Sequence, residues 1–353
     1  MNRHFFCAGI LATVLPVACG HEAGHEQTLA IPTQQEWVDC GRILEAGADG
    51  EWDHYLWGGF GLSAVKRNGV FYLYYQGSRA YDDIAGTVAW RAIGVATSVD
   101  GLRFRKAAAN PILTWFPGQN LEEGATSTAA LLDERTRVVL YYGANSWAGG
   151  DLVNADARMA VSEDGVHFTD IGVALDHSDN TIWGARDELF PVVAIRDKAW
   201  RIVYYIPNGS LQRGRLGVAW GDSSGLPRSS SAWSANRLIE AWGPGGAARI
   251  GPNTFAVFTT PERGGGNRPI EVRTVTTEAP NRMSEVAVRY EWAEVAVATV
   301  VLDEEIGKWF LYYRDPAHSG YSVKVALARA RERLHQDDPT AVLNIDPPVD
   351  ACT

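Results

Sequence analysis

The chain has 353 residues, enough for one large repeat architecture with a sizeable core or for two ordinary domains. Thirteen Trp, thirteen Tyr, eleven Phe and 36 Gly against 21% charged residues describe strands and tight turns, and argue against a bundle of charged amphipathic helices. A formal net charge of -10 gives no electrostatic footprint for nucleic acid or for an anionic bilayer, so neither is expected as a direct partner.

From the N-terminus, MNRHFFCAGILATVLPVACG places Arg3 before an apolar run from Phe5 to Val17 and ends in small residues, the pattern of an export signal over residues 1–20. The run is too short to span a bilayer. Two endings fit: cleavage after Gly20, or lipid modification of Cys19 in a segment similar to a bacterial lipoprotein box, with Pro16 where that box has Leu. The product is expected to be secreted, or a periplasmic or outer-membrane lipoprotein whose only membrane contact is a lipid at Cys19. Residues 21–36 read as a flexible linker, and residues 37–353 show no composition break and read as one domain.

Along that domain a hairpin recurs. LSAVKRNG runs into VFYLYYQGSR, AALLDERT into RVVLYYGANS, FPVVAIRDK into WRIVYYIPNG, AARIGPN into TFAVFTTPER, and ATVVLDEEIG into WFLYYRDPAH. Each is an apolar strand, a turn, and a β-branched or aromatic strand closed by turn residues. A third run follows in several units, as IGVATSVDGLRF, RMAVSEDGVHF, LGVAWGDSSG and KVALARA. Antiparallel strands in five units spaced some fifty to seventy residues apart predict an all-β, five-bladed β-propeller. Asp100 and Asp164 precede Gly in the third runs and read as structural turn residues. Cys40 and Cys352 lie near opposite ends of the domain, in an export compartment where disulfides persist; a propeller must join its ends, so a Cys40 to Cys352 disulfide is expected.

In a propeller, the segments before each innermost strand and after each second strand surround the axial pocket. Here the lead-in segments are GEWDHYLWGGF, NLEEGATS, TIWGARDELF, LIEAWGPGG and YEWAEVA; all hold an acid and four hold Trp. Carboxylates beside indole rings and amides suit a sugar, which offers flat C–H faces, hydroxyls and a glycosidic oxygen. This singles out Trp52, Asp53, Trp57, Glu123, Trp183, Arg186, Asp187, Glu188, Glu240, Trp242 and Glu294 in the lead-in segments. Arg79, Asn145, Trp147, Asn208, Arg314 and His318 come from the second loops. No His or Cys cluster has metal-ligand spacing; no cofactor is expected, and a structural calcium in the axial channel would be compatible with the fold.

The phrases GVFYLYYQGS and IGVATSVDGLRFRKAAANPIL resemble the repeated grammar of the five-bladed glycoside hydrolases, families 43 and 32 and their relatives, and the resemblance runs from about Trp52 to Arg329. It implies a first-blade Asp as base or nucleophile, a third-blade Asp that orients and tunes, and a fourth-blade Glu as acid. Asp187, in ARDELF, matches the third-blade position with Glu188 in place of Pro. The first-blade position falls near Phe60 and Gly61, leaving Asp53 upstream, and the fourth-blade motif reads Trp242-Gly243-Pro244, with Glu240 two residues early. Glu122, Glu123, Glu188, Glu291 and Glu294 are available substitutes. The expectation is a monomeric glycosidase of oligo- or polysaccharides using Asp53, Asp187 and Glu240. Two alternatives stay open: a non-catalytic glycan-binding propeller that kept the aromatic residues, and a glycoside phosphorylase using Arg79, Arg186, Arg263 and Arg314 for phosphate.

Overall fold

A computed structural model of the chain describes residues 28–56, 61–79, 91–114, 124–148, 151–176, 188–198, 200–208, 215–222, 234–240, 245–259, 269–291, 298–315, 322–331 and 352. It is the expected five-bladed propeller. Strands β1 (Val38–Leu44) and β2 (Tyr55–Leu56) precede blade 1, made of β3 (Leu62–Arg67), β4 (Val70–Ser78), β5 (Arg91–Ser98) and β6 (Arg105–Lys106). Blade 2 is β7 (Ala125–Leu132), β8 (Val138–Ala148), β9 (Asp151–Ser162) and β10 (Thr169–Leu175). Blade 3 is β11 (Glu188–Asp197), β12 (Trp200–Asn208), β13 (Arg215–Asp222) and β14 (Ser234–Glu240). Blade 4 is β15 (Ala247–Arg249), β16 (Thr254–Thr259), β17 (Ile270–Thr276) and β18 (Val288–Tyr290). Blade 5 is β19 (Ala298–Asp303), β20 (Lys308–Asp315) and β21 (Ser322–Arg329), completed by β1 from the other end of the chain.

The innermost strands touch in the order β3, β7, β11, β15, β19 and back to β3, which closes the ring. All strand pairs are antiparallel, so every innermost strand starts on one face of the disc, the lead-in face, and ends in a hairpin turn on the other, the turn face.

The core lies in the five seams between blades, and the paired tyrosines explain why. Successive side chains on a strand point to opposite faces of the sheet. Tyr74 therefore packs toward blade 2 and Tyr75 toward blade 5, Tyr204 toward blade 4 and Tyr205 toward blade 2, Tyr312 toward blade 1 and Tyr313 toward blade 4. One dipeptide thus serves two seams, and burial of each such ring contributes about 1.5–3 kcal/mol. The first tyrosine of three pairs also reaches the next blade: Tyr74 Oη donates to Gly165 O at 2.9 Å, Tyr204 Oη to Pro280 O at 2.9 Å and Tyr312 Oη to Gly101 O at 3.2 Å.

Two of those acceptors belong to the Ser-x-Asp-Gly turns. Asp100 Oδ1 accepts the N–H groups of Leu102 and Arg103 at 2.8 Å each, and Ser98 Oγ accepts from Gly101 N–H at 2.9 Å. Ser162, Asp164 and Gly165 repeat the arrangement in blade 2. Asp100 and Asp164 are the turn residues the sequence indicates.

Closure of the ring is covalent as well. β1 pairs with β21, with Val38 opposite Leu327 and Leu44 opposite Val323, and Cys40 is bonded to Cys352 with their Cα atoms 5.4 Å apart. Residues 28–36, within the stretch read as a flexible linker, are packed instead. Leu29 N–H donates to Ile250 O at 2.7 Å, Ala30 N–H to Arg331 O at 2.8 Å, and Arg331 pairs with Glu36 at 3.1 Å, forming a strap over the seam of blades 4 and 5. On the turn face other seams are spanned by polar side chains. Lys66 pairs with Asp303 at 2.8 Å, Arg201 with Glu134 at 3.8 Å and Arg249 with Asp197 at 2.8 Å, and Arg67 donates to Thr136 O.

Candidate functional site

The lead-in face is where the blades bring their inner-strand starts and second-strand ends together. In blade 3 the register sets Glu188 directly opposite Asn208, at the first residue of β11 and the last of β12. In blade 2, β7 begins opposite Ala144, while β8 and β9 pair on past that level, Asn145 with Ala155 and Trp147 with Leu152. Asn145 and Trp147 thus sit on a hairpin that stands above the inner strand on this face. Glu240 ends β14, the outermost strand of blade 3, opposite Arg215, at the rim. Arg314 lies at the end of β20 opposite Val323, and Arg79 follows β4, exposed. Trp57, Glu123, Trp183, Arg186, Asp187, Trp242, Glu294 and His318 lie outside the described residues, as do Glu122 and Arg263. Glu291 is exposed, its N–H donating to Gln34 Oε1 at 2.8 Å.

Trp52 and Asp53 do not lie open on that face as their lead-in position suggests. The Trp52 ring stacks on Tyr75, centroids 5.8 Å apart and planes 22° apart, in the seam with blade 5. Asp53 is 3% exposed; Lys106 Nζ stands 2.6 Å from its Oδ2, and Tyr75 Oη donates to the same oxygen at 3.2 Å. Burial, and then the Asp53 charge, push the Tyr75 phenol far above its ordinary range, so it stays a neutral donor. Asn110 Nδ2 in turn donates to Tyr75 Oη at 3.0 Å and to Val95 O at 2.9 Å, while Val95 N–H donates to Asn110 Oδ1 at 2.8 Å. The Asn-Pro-Ile-Leu phrase therefore ties its segment to β5 and supports the same network.

The pair reaches the seam because two strand residues lack side chains. A Cβ on Gly77 would come within 2.5 Å of the Trp52 ring and 2.7 Å of Asp53 Cβ, and one on Gly94 within 2.7 Å of Trp52. The preceding loop folds back, with Gly47 N–H donating to Asp53 O at 2.8 Å. Asp53 is consequently a carboxylate held by a cation and a phenol, not one facing an open pocket.

One feature of the inner wall was not singled out by the lead-in pattern. Ser63, Thr126, Ser127, Thr128 and Thr299, all on innermost strands, are buried. Ser63 Oγ donates to Thr128 Oγ1 at 2.9 Å, joining β3 to β7. Ser127 has φ +47 at a bulge in β7, a conformation that costs a non-glycine residue about 1–2 kcal/mol. Gln76 supports it, its Oε1 accepting Ser127 N–H at 3.1 Å, while Gln76 Nε2 is buried without a hydrogen-bond partner. The run Ala-Thr-Ser-Thr at the start of β7, polar where inner strands are otherwise apolar, is the sequence signal for this wall.

The sequence matches no protein-family model and no curated protein sequence. Solved structures do match in shape. A Bacteroides ovatus glycosyl hydrolase is similar over 87% of this chain and 99% of its own, with 12% identity and a TM-score of 0.53. The catalytic domain of a Coprinopsis cinerea GH62 α-L-arabinofuranosidase is similar over 84% and 98%, with 12% identity and a TM-score of 0.56. The β-1,2-mannobiose phosphorylase of Listeria innocua, in complex with β-1,2-mannobiose, is similar over 85% and 92%, with 10% identity and a TM-score of 0.56. At such identities these likenesses establish the architecture: the chain shares, across most of its length, the propeller fold of those glycoside hydrolases and phosphorylases.

Proposed function

We propose that the protein is an exported carbohydrate-active enzyme that cleaves glycosidic bonds at the lead-in face, and that it is held to its membrane by lipid on Cys19. The observation that carries the catalytic reading is convergence: five lead-in segments, each with an acid and four with Trp, precede innermost strands that all start on one face. The chain-long likeness to glycoside hydrolases supports it. In this reading one carboxylic acid protonates the leaving oxygen while a second carboxylate activates water or attacks the anomeric carbon. Asp187 is the assigned acid; Glu240, expected beside it, instead ends the outermost strand of blade 3, about 15 Å or three strand spacings from the innermost one, and is not assigned. With Asp53 engaged by Lys106 and Tyr75, Glu188, across from Asn208, takes its place as the second carboxylate. Trp57, Trp147, Trp183 and Trp242 supply stacking surfaces for the sugar.

The ion-paired state of Asp53 also favours a second reading, a glycan-binding propeller without turnover. The test is release of chromophore from a panel of aryl furanosides and pyranosides by the mature chain, with and without inorganic phosphate, beside Asp187→Asn and Glu188→Gln. Turnover that the variants lose establishes a glycosidase and locates its acids. Strict dependence on phosphate would move the assignment to a phosphorylase, and oligosaccharide binding without release would move it to a binding protein.

A further inference from the structure

We propose that Gln76 and Ser127 are positioning residues for the carboxylate of Glu188: together they fix the first residues of β11 where that strand enters the lead-in face. This rests on the reading of that face as the catalytic one, with Glu188 among its carboxylates.

The line of contacts starts in blade 1. Gln76 is buried near the lead-in end of β4, its N–H donating to Gly61 O at 2.9 Å. Its side chain fills the space that Gly61 leaves, since a Cβ there would come within 2.3 Å of Gln76 Cβ. From this position Gln76 Oε1 accepts Ser127 N–H at 3.1 Å, across the seam to blade 2. Ser127 and Thr128 form the bulge of β7: they lie between Thr126, paired with Gly143, and Ala129, paired with Tyr141, so two residues face one. A bulge bends its strand and re-aims the groups beside it.

Two residues of this segment grip Gly143 on β8. Gly143 N–H donates to Ser127 Oγ at 3.3 Å, and Thr126 Oγ1 donates to Gly143 O at 3.4 Å. Gly143 is also where blade 3 arrives. A Cβ on it would stand 3.2 Å from Leu189 O, 3.3 Å from Ser127 Oγ and 2.6 Å from Thr126 Oγ1. Leu189 directly follows Glu188, so Gln76, the bulge, Gly143 and the start of β11 form one buried line from blade 1 to blade 3.

That line is costly to keep. Four non-glycine residues among those described have positive φ, and three of them, Asn68, Thr136 and Lys198, are exposed in hairpin turns. Ser127, at φ +47, is the buried one, and the Gln76 amide that supports it leaves Nε2 buried without a hydrogen-bond partner. The turn-face ties of Lys66 to Asp303 and Arg249 to Asp197, both at 2.8 Å, are by contrast direct ion pairs. A leucine at 76 would orphan no amide donor, and a glycine at 127 would carry no strain. Costs of this kind persist where placement outweighs stability.

The test compares Gln76→Leu and Ser127→Gly with Lys66→Met, a control that cuts a turn-face tie of blade 1. Each is read by melting temperature, by hydrogen exchange of peptides covering 125–130 and 188–195, and by kcat, KM and the pH–rate profile on an aryl glycoside that wild type turns over. Both site variants should speed exchange at 188–195 severalfold and lower kcat about ten- to a hundredfold at little changed KM. They should also move the limb of the pH–rate profile that reports Glu188. Ser127→Gly should do so while melting about as high as wild type, because relief of the strain offsets the lost hydroxyl; it carries the comparison if Gln76→Leu fails to fold. Lys66→Met should melt lower, with exchange at 188–195, kcat and the profile unchanged. Wild-type exchange at 188–195 in both site variants overturns the inference whatever the turnover. A kcat that falls only in step with melting temperature, in Lys66→Met as in the others, overturns it too. If wild type hydrolyses nothing, the catalytic reading falls, and the exchange result still decides whether Gln76 and Ser127 fix the start of β11.

Discussion

Asp53 and the turn glycines show how single residues here are decided by what surrounds them. Asp53→Asn should act on stability, because it removes the carboxylate that Lys106 and Tyr75 share. Lys106 keeps 31% of its side chain exposed, so the loss should fall below that of a fully buried pair, at about 1–3 kcal/mol measured by urea titration. Lys106→Met should cost a comparable amount, since it strands the same carboxylate. If Asp53→Asn abolished turnover at unchanged stability while Lys106→Met was silent, Asp53 would be a catalytic group after all. Gly101→Ala separates clash from strain. Gly101 has φ +73 and a Cβ there would meet the Phe310 ring at 2.6 Å, so strain and overpacking together should cost about 2–4 kcal/mol. Gly69, with φ +76 and nothing within 4 Å of its Cβ position, isolates the strain, and Gly69→Ala should cost about 1 kcal/mol. Equal midpoints for the two variants would show that the contact with blade 5 carries no weight.

The blades were legible because their information is local: period-two alternation around Tyr-Tyr, turn residues at the hairpin ends, and Asp-Gly closing the third strand are written in consecutive residues. Ring closure was legible for a topological reason, since a propeller has to join its ends and Cys40 and Cys352 lie there. The placement of Trp52 and Asp53 was not, because it depends on the space left by Gly77 and Gly94, which are remote in sequence and visible only once β4 and β5 are paired. The strap was missed for a related reason. Its residues show no strand pattern, and their order comes from acceptors on Ile250 and Arg331, at the far ends of two other blades. Closure by β1 and the disulfide acts as one element. With the cysteines separated by 312 positions in sequence, Cys40→Ser should cost about 2–5 kcal/mol, and reductant should lower the melting temperature of wild type toward that of the variant while leaving the variant unchanged. A reductant-insensitive wild type would mean that β1 pairing alone holds the ring.

At the scale of the molecule, the carboxylates of the turn face are expected to make stability fall in acid. Burial pushes Asp133 up, but donors from Arg137 and Arg135 outweigh it and hold the carboxyl below its ordinary range. Burial likewise raises Asp197, and Arg249, then Thr277, bring it below. In the two Asp-Gly turns burial is again outweighed, by the N–H groups of Arg103 and Leu102 at Asp100 and by the His167 side chain and N–H at Asp164. A carboxyl whose folded pKa is depressed stabilises the fold above its unfolded value, near 3.9, and loses that contribution as pH falls through the folded value. The urea midpoint should therefore hold between about pH 7 and 5 as far as these groups are concerned, and fall increasingly below about pH 4. Asp197→Asn should start lower at pH 7 and decline less steeply between pH 4 and 3, because it has no carboxylate left to protonate there. A midpoint that stayed level from pH 5 to 3 would show that these four carboxylates are no better held in the folded protein than in the unfolded chain. The inter-blade ties at Asp197 would then have to be counted as geometry without energetic consequence.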